Sequence, residues 1–196
     1  MRQPGADALS LCENFVLRTF FALVICLGVP AARGQAGPSE YQVKTTYLFN
    51  FAKFIEWPES SFLSDDAPFS ICVLGEDPFG SALDNLRGKF IGNRPVAIWR
   101  IKKANAGFSC QILFVSPSEE PHLAQIFASL RGSHALVIGQ TLGFASSGGA
   151  VEFTLEGNHV HFIINPDAVR RAGLRASSQL LALAKIVHDG QSGGGG

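Results

Sequence analysis

A strand hairpin that runs directly into a helix is the feature of this chain that most limits its fold. From Val151 to Glu156, apolar residues alternate with polar ones, the period of a strand with one buried face. Turn residues follow at 156–158, and a second alternating run begins after them. Asn165 then offers a helix N-cap, and Pro166 suits the first helical position, where its missing N–H is harmless. The C-terminal third therefore predicts an antiparallel hairpin followed by a helix.

Strand-like and helix-like segments alternate through the middle of the chain. Apolar runs at 69–75, 110–115 and 135–138 are typical of buried strands, and Pro117 opens a predicted helix that extends to about Leu130. Strands that alternate with helices, followed by an antiparallel hairpin, indicate an α/β fold. We expect a single-domain sandwich with a mixed sheet and helices packed on it.

The first helix of this domain has a clear predicted start. Ser39 and Gln42 stand at the spacing of a capping box, so the helix should begin at about Glu40. Pro58 is expected to end it. Apolar residues recur along the segment at helical spacing, and Lys44 is expected to lie off this apolar stripe.

Aromatic residues crowd the end of this helix and the loop after it. They are Phe49, Phe51, Phe54, Trp57 and Phe62. Because Phe49 should point away from the helix side that carries Tyr47, two interpretations stay open. The aromatic side chains either pack only in the core, or they also bury a second face in a homodimer.

Residues 1–36 are predicted to be a signal peptide. Arginines precede the apolar run from Thr19 to Val29, which is too short to cross a bilayer core of about 30 Å, and small residues follow it. An uncleaved N-terminal anchor is the alternative. The mature domain is then expected at 37–190, with the glycine-rich residues 191–196 as a flexible tail.

The charge balance of the predicted mature chain disfavours nucleic acid as a partner. Residues 1–36 hold three of the 16 basic and two of the 16 acidic side chains, so the mature net charge is near −1. Proteins that bind nucleic acid or an anionic membrane surface carry a clustered basic excess, which this composition lacks.

No catalytic constellation emerges from the mature sequence. The spacing of Gly75 and Gly80 resembles a phosphate-binding loop, but no Gly-Lys-Ser/Thr follows. His159 and His161 should share one face of a strand, but zinc needs a third ligand and supporting groups around it. We therefore expect no enzyme activity, no cofactor and no metal site.

Several segments, in order, resemble one protein family. They are Tyr41 to Pro58, Gly75 to Gly80, Cys110 to Ser116, and the hairpin and helix from Val151 to Val187. Together they are similar to the YfiR family, periplasmic bacterial proteins best known as repressors of a membrane-bound diguanylate cyclase. The resemblance covers about residues 39 to 187.

Two cysteines remain after removal of the predicted signal peptide, Cys72 and Cys110. Each lies in or beside a strand-like run, and two neighbouring strands could hold them side by side. One disulfide bond and two buried free thiols are both compatible with the residues alone. Members of the YfiR family carry a similar pair, so the resemblance implies the disulfide.

The resemblance also implies a function. It implies a non-enzymatic periplasmic protein that binds and represses the periplasmic sensor portion of a membrane diguanylate cyclase, which lowers cyclic di-GMP signalling. The alternative is a periplasmic small-molecule binding or sensor domain that acts with another receptor, such as a histidine kinase.

Three arginines near the end of the chain are candidate partner-binding residues. Arg171 and Arg175, at helical spacing, are expected to share a helix face, while Arg170 points aside. Gly173 could break this helix, with Ser177 or Ser178 capping a new one. A solvated surface whose charges pair within the chain is the alternative interpretation.

Overall fold

The first helix begins at the residue that the capping box predicts. The computed structural model describes residues 39–103 and 109–189, and in it helix α1 spans Glu40–Phe54. The Ser39 side chain accepts a hydrogen bond from the backbone N–H of Gln42, whose side-chain oxygen accepts one from the Ser39 N–H at 2.7 Å. Two N–H groups that a helix start leaves free are therefore satisfied by side chains.

Helix α1 ends before Pro58, earlier than predicted. Its last residue is Phe54, and the next two residues form strand β1 (Ile55–Glu56). This strand pairs antiparallel with strand β9 (Arg175–Ala176). The prediction that Pro58 ends the helix is wrong, because the residues before Pro58 pair with a distant strand instead of continuing the helix.

The remaining elements alternate along the chain. The other strands are β2 (Phe69–Leu74), β3 (Phe90–Ile91), β4 (Arg94–Ile101), β5 (Ile112–Val115), β6 (Leu136–Gly139), β7 (Val151–Glu156), β8 (His159–Ile164) and β10 (Lys185–Ile186). The other α-helices are α2 (Ser81–Asp84), α3 (Leu123–Ser129), α4 (Pro166–Arg171) and α5 (Ser178–Ala182). The described residues also form two 3-10 helices, Glu59–Ser61 and Pro117–His122.

Eight of the described strands form one mixed sheet. Their order is β10-β8-β7-β6-β5-β2-β4-β3. Strands β4, β2, β5, β6 and β7 are joined by parallel pairing, whereas β3 with β4 and β7 with β8 are antiparallel. The α/β fold with a mixed sheet and packed helices is thus confirmed.

The sheet is covered on both faces. The face that we call the α1 face carries the larger apolar cluster, in which Phe51 of α1 and Phe114 of β5 are fully buried. The opposite face, the α3 face, carries a second cluster that includes Leu113 and Ile126. Every residue of β2 is buried, as a central parallel strand with two covered faces requires.

The single helix predicted from Pro117 to Leu130 is in fact two segments. A 3-10 helix at Pro117–His122 precedes α3, and Pro121 lies inside it. Proline has no N–H to donate, and its ring clashes with the carbonyl four residues earlier in an α-helix. The regular α-helix therefore begins only after Pro121.

The disulfide bond between Cys72 and Cys110 is present in the structure. Their Cα atoms are 5.9 Å apart. Strands β2 and β5 are hydrogen-bonded neighbours; Cys72 lies in β2, and Cys110 lies in the chain just before β5. Both cysteines are buried in the cluster on the α3 face, so the bond links β2 to the segment just before β5 inside the core.

Candidate functional site

The hairpin and helix of the C-terminal third have the predicted form. Strands β7 and β8 pair antiparallel around a turn in which Gly157 has a φ of 60°. The Asn165 side-chain oxygen accepts hydrogen bonds from the backbone N–H groups of Asp167 at 3.0 Å and Ala168 at 3.1 Å. Helix α4 is therefore capped by Asn165 and begins at Pro166.

The three candidate arginines do not share one helix face. Helix α4 ends at Arg171, and Arg175 lies in β9. Gly173 has a φ of 73°, the left-handed conformation that commonly terminates helices. The prediction that Arg171 and Arg175 share a helix face is therefore wrong. Ser177 instead caps α5 by accepting a hydrogen bond from the Leu180 N–H.

Each of these arginines has its own carboxylate neighbour. Arg170 pairs with Asp167 on the same helix, and Arg171 pairs with Asp189 near the end of the described chain. The side chain of Arg175 is 84% exposed, and its Nε lies 3.7 Å from a carboxylate oxygen of β1. Partner binding by the three remains a prediction.

Arg171 also lines a groove of about 680 Å³ between α3 and α4. Small side chains form much of its walls, including Ala128 on α3 and Ala172 just after α4. Its floor includes Val137 of β6 and Ala150, both buried. The recess is thus concave and mainly apolar, and its walls belong to two helices that are distant in sequence.

The charged side chains of the groove are all positive. Arg131, which follows α3, and Arg171, which ends α4, are in the lining, and no described Asp or Glu is. Arg131 makes no ion pair within residues 39–103 and 109–189. Two guanidinium groups beside an apolar floor can hold a carboxylate that is attached to an apolar group.

The end of the described chain is fastened beside this groove. The Asn165 Nδ2 donates to Asp189 Oδ1 at 2.8 Å, and Arg171 donates to the other oxygen of Asp189. His188 Nδ1 lies 2.9 Å from Asp167 Oδ2. The hydrogen bond from His188, and then that from the Asp189 backbone N–H, holds the pKa of Asp167 below its ordinary value. We call these five residues the C-terminal clasp.

The clasp predicts a specific dependence of stability on pH. A carboxyl group whose pKa is lowered by folding stabilises the protein above its unfolded pKa of about 3.9, and this contribution is lost as the pH falls through the folded pKa. The free energy of unfolding, measured by urea denaturation, should fall between about pH 5 and 2. We expect it to fall less in Asp167→Asn than in the wild type. Asp65→Asn, which removes an exposed carboxylate outside any ion pair of the described residues, is the control. Equal pH slopes for the wild type and Asp167→Asn would contradict the assignment.

Lys44 is a polar residue whose position the sequence did not reveal. It is 2% exposed, and its Nζ donates to Gln140 Oε1 at 2.7 Å and pairs with Glu40. The same ammonium group lies 4.8 Å from the centre of the Tyr41 ring. The expectation that Lys44 lies off the buried stripe is wrong, because Gln140, the residue after β6, provides a partly buried acceptor. This contact ties the start of α1 to the sheet.

The two histidines of β8 face outward. His159 and His161 are exposed, and His161 Nε2 lies 3.9 Å from a carboxylate oxygen of Glu156. In the part of the chain that the structure describes, no three His, Cys, Asp or Glu side chains are placed to hold a metal ion. The sequence-based expectation of no metal site remains a prediction.

Most of the aromatic residues of the N-terminal region pack in the core. Phe51 is fully buried, and the Trp57 ring meets the Phe69 ring edge to face, with centroids 4.9 Å apart. Phe49 is half-buried below the Lys53 ammonium group, which lies 4.4 Å from its ring centre. Core packing accounts for these contacts, and the homodimer remains a prediction.

A smaller recess of about 330 Å³ lies at the carboxyl ends of β2 and β4. Its lining includes Leu74, Lys102, Lys103, Glu119 and His122. Ligands of α/β proteins often bind at this edge of the sheet. The recess is therefore another place where a small molecule could be bound.

A family model described as YfiR/HmsC-like matches residues 41–185. The matched stretch runs from the first turn of α1 to the first residue of β10. Among the described residues, no helix is both long and apolar enough to span a bilayer.

Proposed function

The chain belongs to the YfiR/HmsC-like family, and on that premise we propose that it binds and represses the periplasmic sensor portion of a membrane diguanylate cyclase. The family is periplasmic and regulatory rather than catalytic. The observation that carries the proposal is the extent of the match, since it includes almost the whole described domain.

The proposed regulation acts through binding alone. The domain favours the inactive state of the cyclase by binding that state more tightly, and it never contacts cyclic di-GMP. The largest effect that it can exert is set by the difference between its affinities for the two cyclase states. A change in the ratio of inactive to active cyclase from 1:99 to 99:1 needs roughly a 10⁴-fold difference between the affinities for the two states.

Two features support a periplasmic site of action. The Cys72–Cys110 disulfide suits an oxidising compartment, where such bonds form and persist. The predicted signal peptide at residues 1–36, which lies outside the described residues, would direct the chain there. We propose that the mature protein is the domain from about residue 37 to 190.

A small-molecule sensor that acts with another receptor is the second candidate. The groove between α3 and α4 has a volume in the range of about 300–1,000 Å³ that small-molecule sites occupy. Its wall on α3 is exposed, however, at Ala124, Ala128 and Arg131. Small-molecule sites bury about 70–90% of their ligand, so this open wall favours a larger partner.

The direct test is binding of the oxidised mature protein to the periplasmic segment of the diguanylate cyclase encoded nearest to it. We expect saturable binding with a Kd in the micromolar range or tighter, about −8 kcal/mol, measured by calorimetry. The periplasmic domain of an unrelated receptor is the control. Absence of binding by folded, disulfide-bonded protein would contradict the proposal, and a copurified metabolite found by native mass spectrometry would favour the sensor.

A further inference from the structure

The groove between α3 and α4 has the geometry of a docking site for a polypeptide segment. Its floor is closed and apolar, with Val137, 9% exposed, and Ala150, 3% exposed, beneath it. Its α3 wall is open to solvent over Ala124 and Ala128, one helical turn apart. An open groove of this kind suits a chain that lies along it better than an enclosed small molecule.

The charges of the groove specify which kind of segment fits. Arg131 and Arg171 are in the lining without any described acidic side chain, although the whole mature chain carries a net charge near −1. The positive charge is thus local to the groove. A guanidinium group binds a carboxylate through paired N–H groups, so each arginine can accept one Asp or Glu side chain of a partner.

Building on the proposed function, we infer that this groove binds an acidic, partly apolar segment of the periplasmic portion of the cyclase. Apolar side chains of the segment pack on Val137, Ala150 and the half-buried Phe127. Its carboxylates bind Arg131 and Arg171.

The two arginines take part differently. Arg131 is exposed and makes no ion pair with another described residue, so its guanidinium group is available to a partner. Arg171 pairs with Asp189 of the C-terminal clasp. A partner carboxylate at Arg171 must therefore replace Asp189 or share the guanidinium group with it. For this reason the contact with Arg171 adds less binding free energy. We expect Arg131 to contribute more to affinity than Arg171.

Charge reversal in the full mature protein tests the site. We expect Arg131→Glu to weaken binding to the cyclase segment at least tenfold, and Arg171→Glu to weaken it less. Arg87→Glu is the matched control, because it makes the same charge reversal at an exposed arginine that does not line the groove. It should bind within about twofold of the wild type.

A second pair of variants tests the apolar part of the groove. Ala128→Gln fills the open wall without a change of charge, and we expect it to weaken binding at least fivefold. Ser129→Gln, at the next position of α3, is exposed and lies outside this groove, so it should have no effect. Circular dichroism and thermal unfolding check that each variant is folded.

The outcomes separate the inference from the proposed function. If the wild type binds and both Arg131→Glu and Ala128→Gln bind equally well, the docking site is wrong and the proposed function still stands. No binding by the folded wild type overturns both. Weaker binding by the groove variants, with unchanged binding by the controls, supports the inference. High salt should also lower the affinity of the wild type, and it should lower the affinity of Arg131→Glu less.

Discussion

Phe144→Ala is expected to lower the free energy of unfolding by about 3–5 kcal/mol. Phe144 is 1% exposed in the cluster on the α3 face, and its ring meets the Phe127 ring edge to face at 5.3 Å. Two glycines flank the same ring: a Cβ atom at Gly139 would lie 2.5 Å from it, and one at Gly149 would overlap it. The ring thus occupies a space that exists only because these residues have no side chain.

A double-mutant cycle tests this packing in chemical denaturation. Gly139→Ala should cost about 1–3 kcal/mol in the wild type, because the added methyl group would lie 2.5 Å from the Phe144 ring and force it to move. Neither Gly149 nor Gly139 has a positive φ, so backbone strain does not account for such a cost. In the Phe144→Ala background the same substitution should cost much less. Equal costs in both backgrounds would contradict the proposed contact.

Loss of the disulfide is the second large effect. Cys72→Ala with Cys110→Ala should lower the free energy of unfolding by about 4 kcal/mol, the chain-entropy value for a cross-link that closes a loop of this length. The two cysteines are 38 residues apart and both are buried. Most of the loss arises because the unfolded chain without the bond has more conformations available.

Reduction provides the control for this prediction. Dithiothreitol should destabilise the wild type to nearly the same extent and should leave the double variant unchanged, as measured by guanidinium unfolding. A wild type whose stability is the same with and without reductant would show that the bond contributes little. A double variant that is far less stable than the reduced wild type would point to packing lost at the two alanines instead.

The elements that could be predicted from the sequence depend on contacts within a few residues. The capping box of α1 joins Ser39 to Gln42, and the Asn165 cap reaches only to Asp167 and Ala168. The hairpin of β7 and β8 follows from alternation and a turn. Such signals are complete within their own segment, so no knowledge of the rest of the chain is needed.

The errors had two causes: a distant residue that decided the local structure, or a helix breaker within the segment itself. Lys44 is buried because Gln140, 96 residues away, accepts a hydrogen bond from it. Helix α1 stops early because its next residues pair with β9. Arg171 and Arg175 lie on different elements because the glycine between them ends α4, and the sequence indicated this break only as an alternative.

By itself, the sequence determined the fold class, the family, the capped helix starts and the pair of cysteines available for a bond, since each follows from local pattern or from the order of segments. Only the tertiary structure decided where the chain could meet a partner. Arg131 and Arg171 line one groove because packing places α3 and α4 on its two sides beside β6, although the two arginines are far apart along the chain. Periodicity places a residue on its own helix or strand, and only packing determines which elements become neighbours.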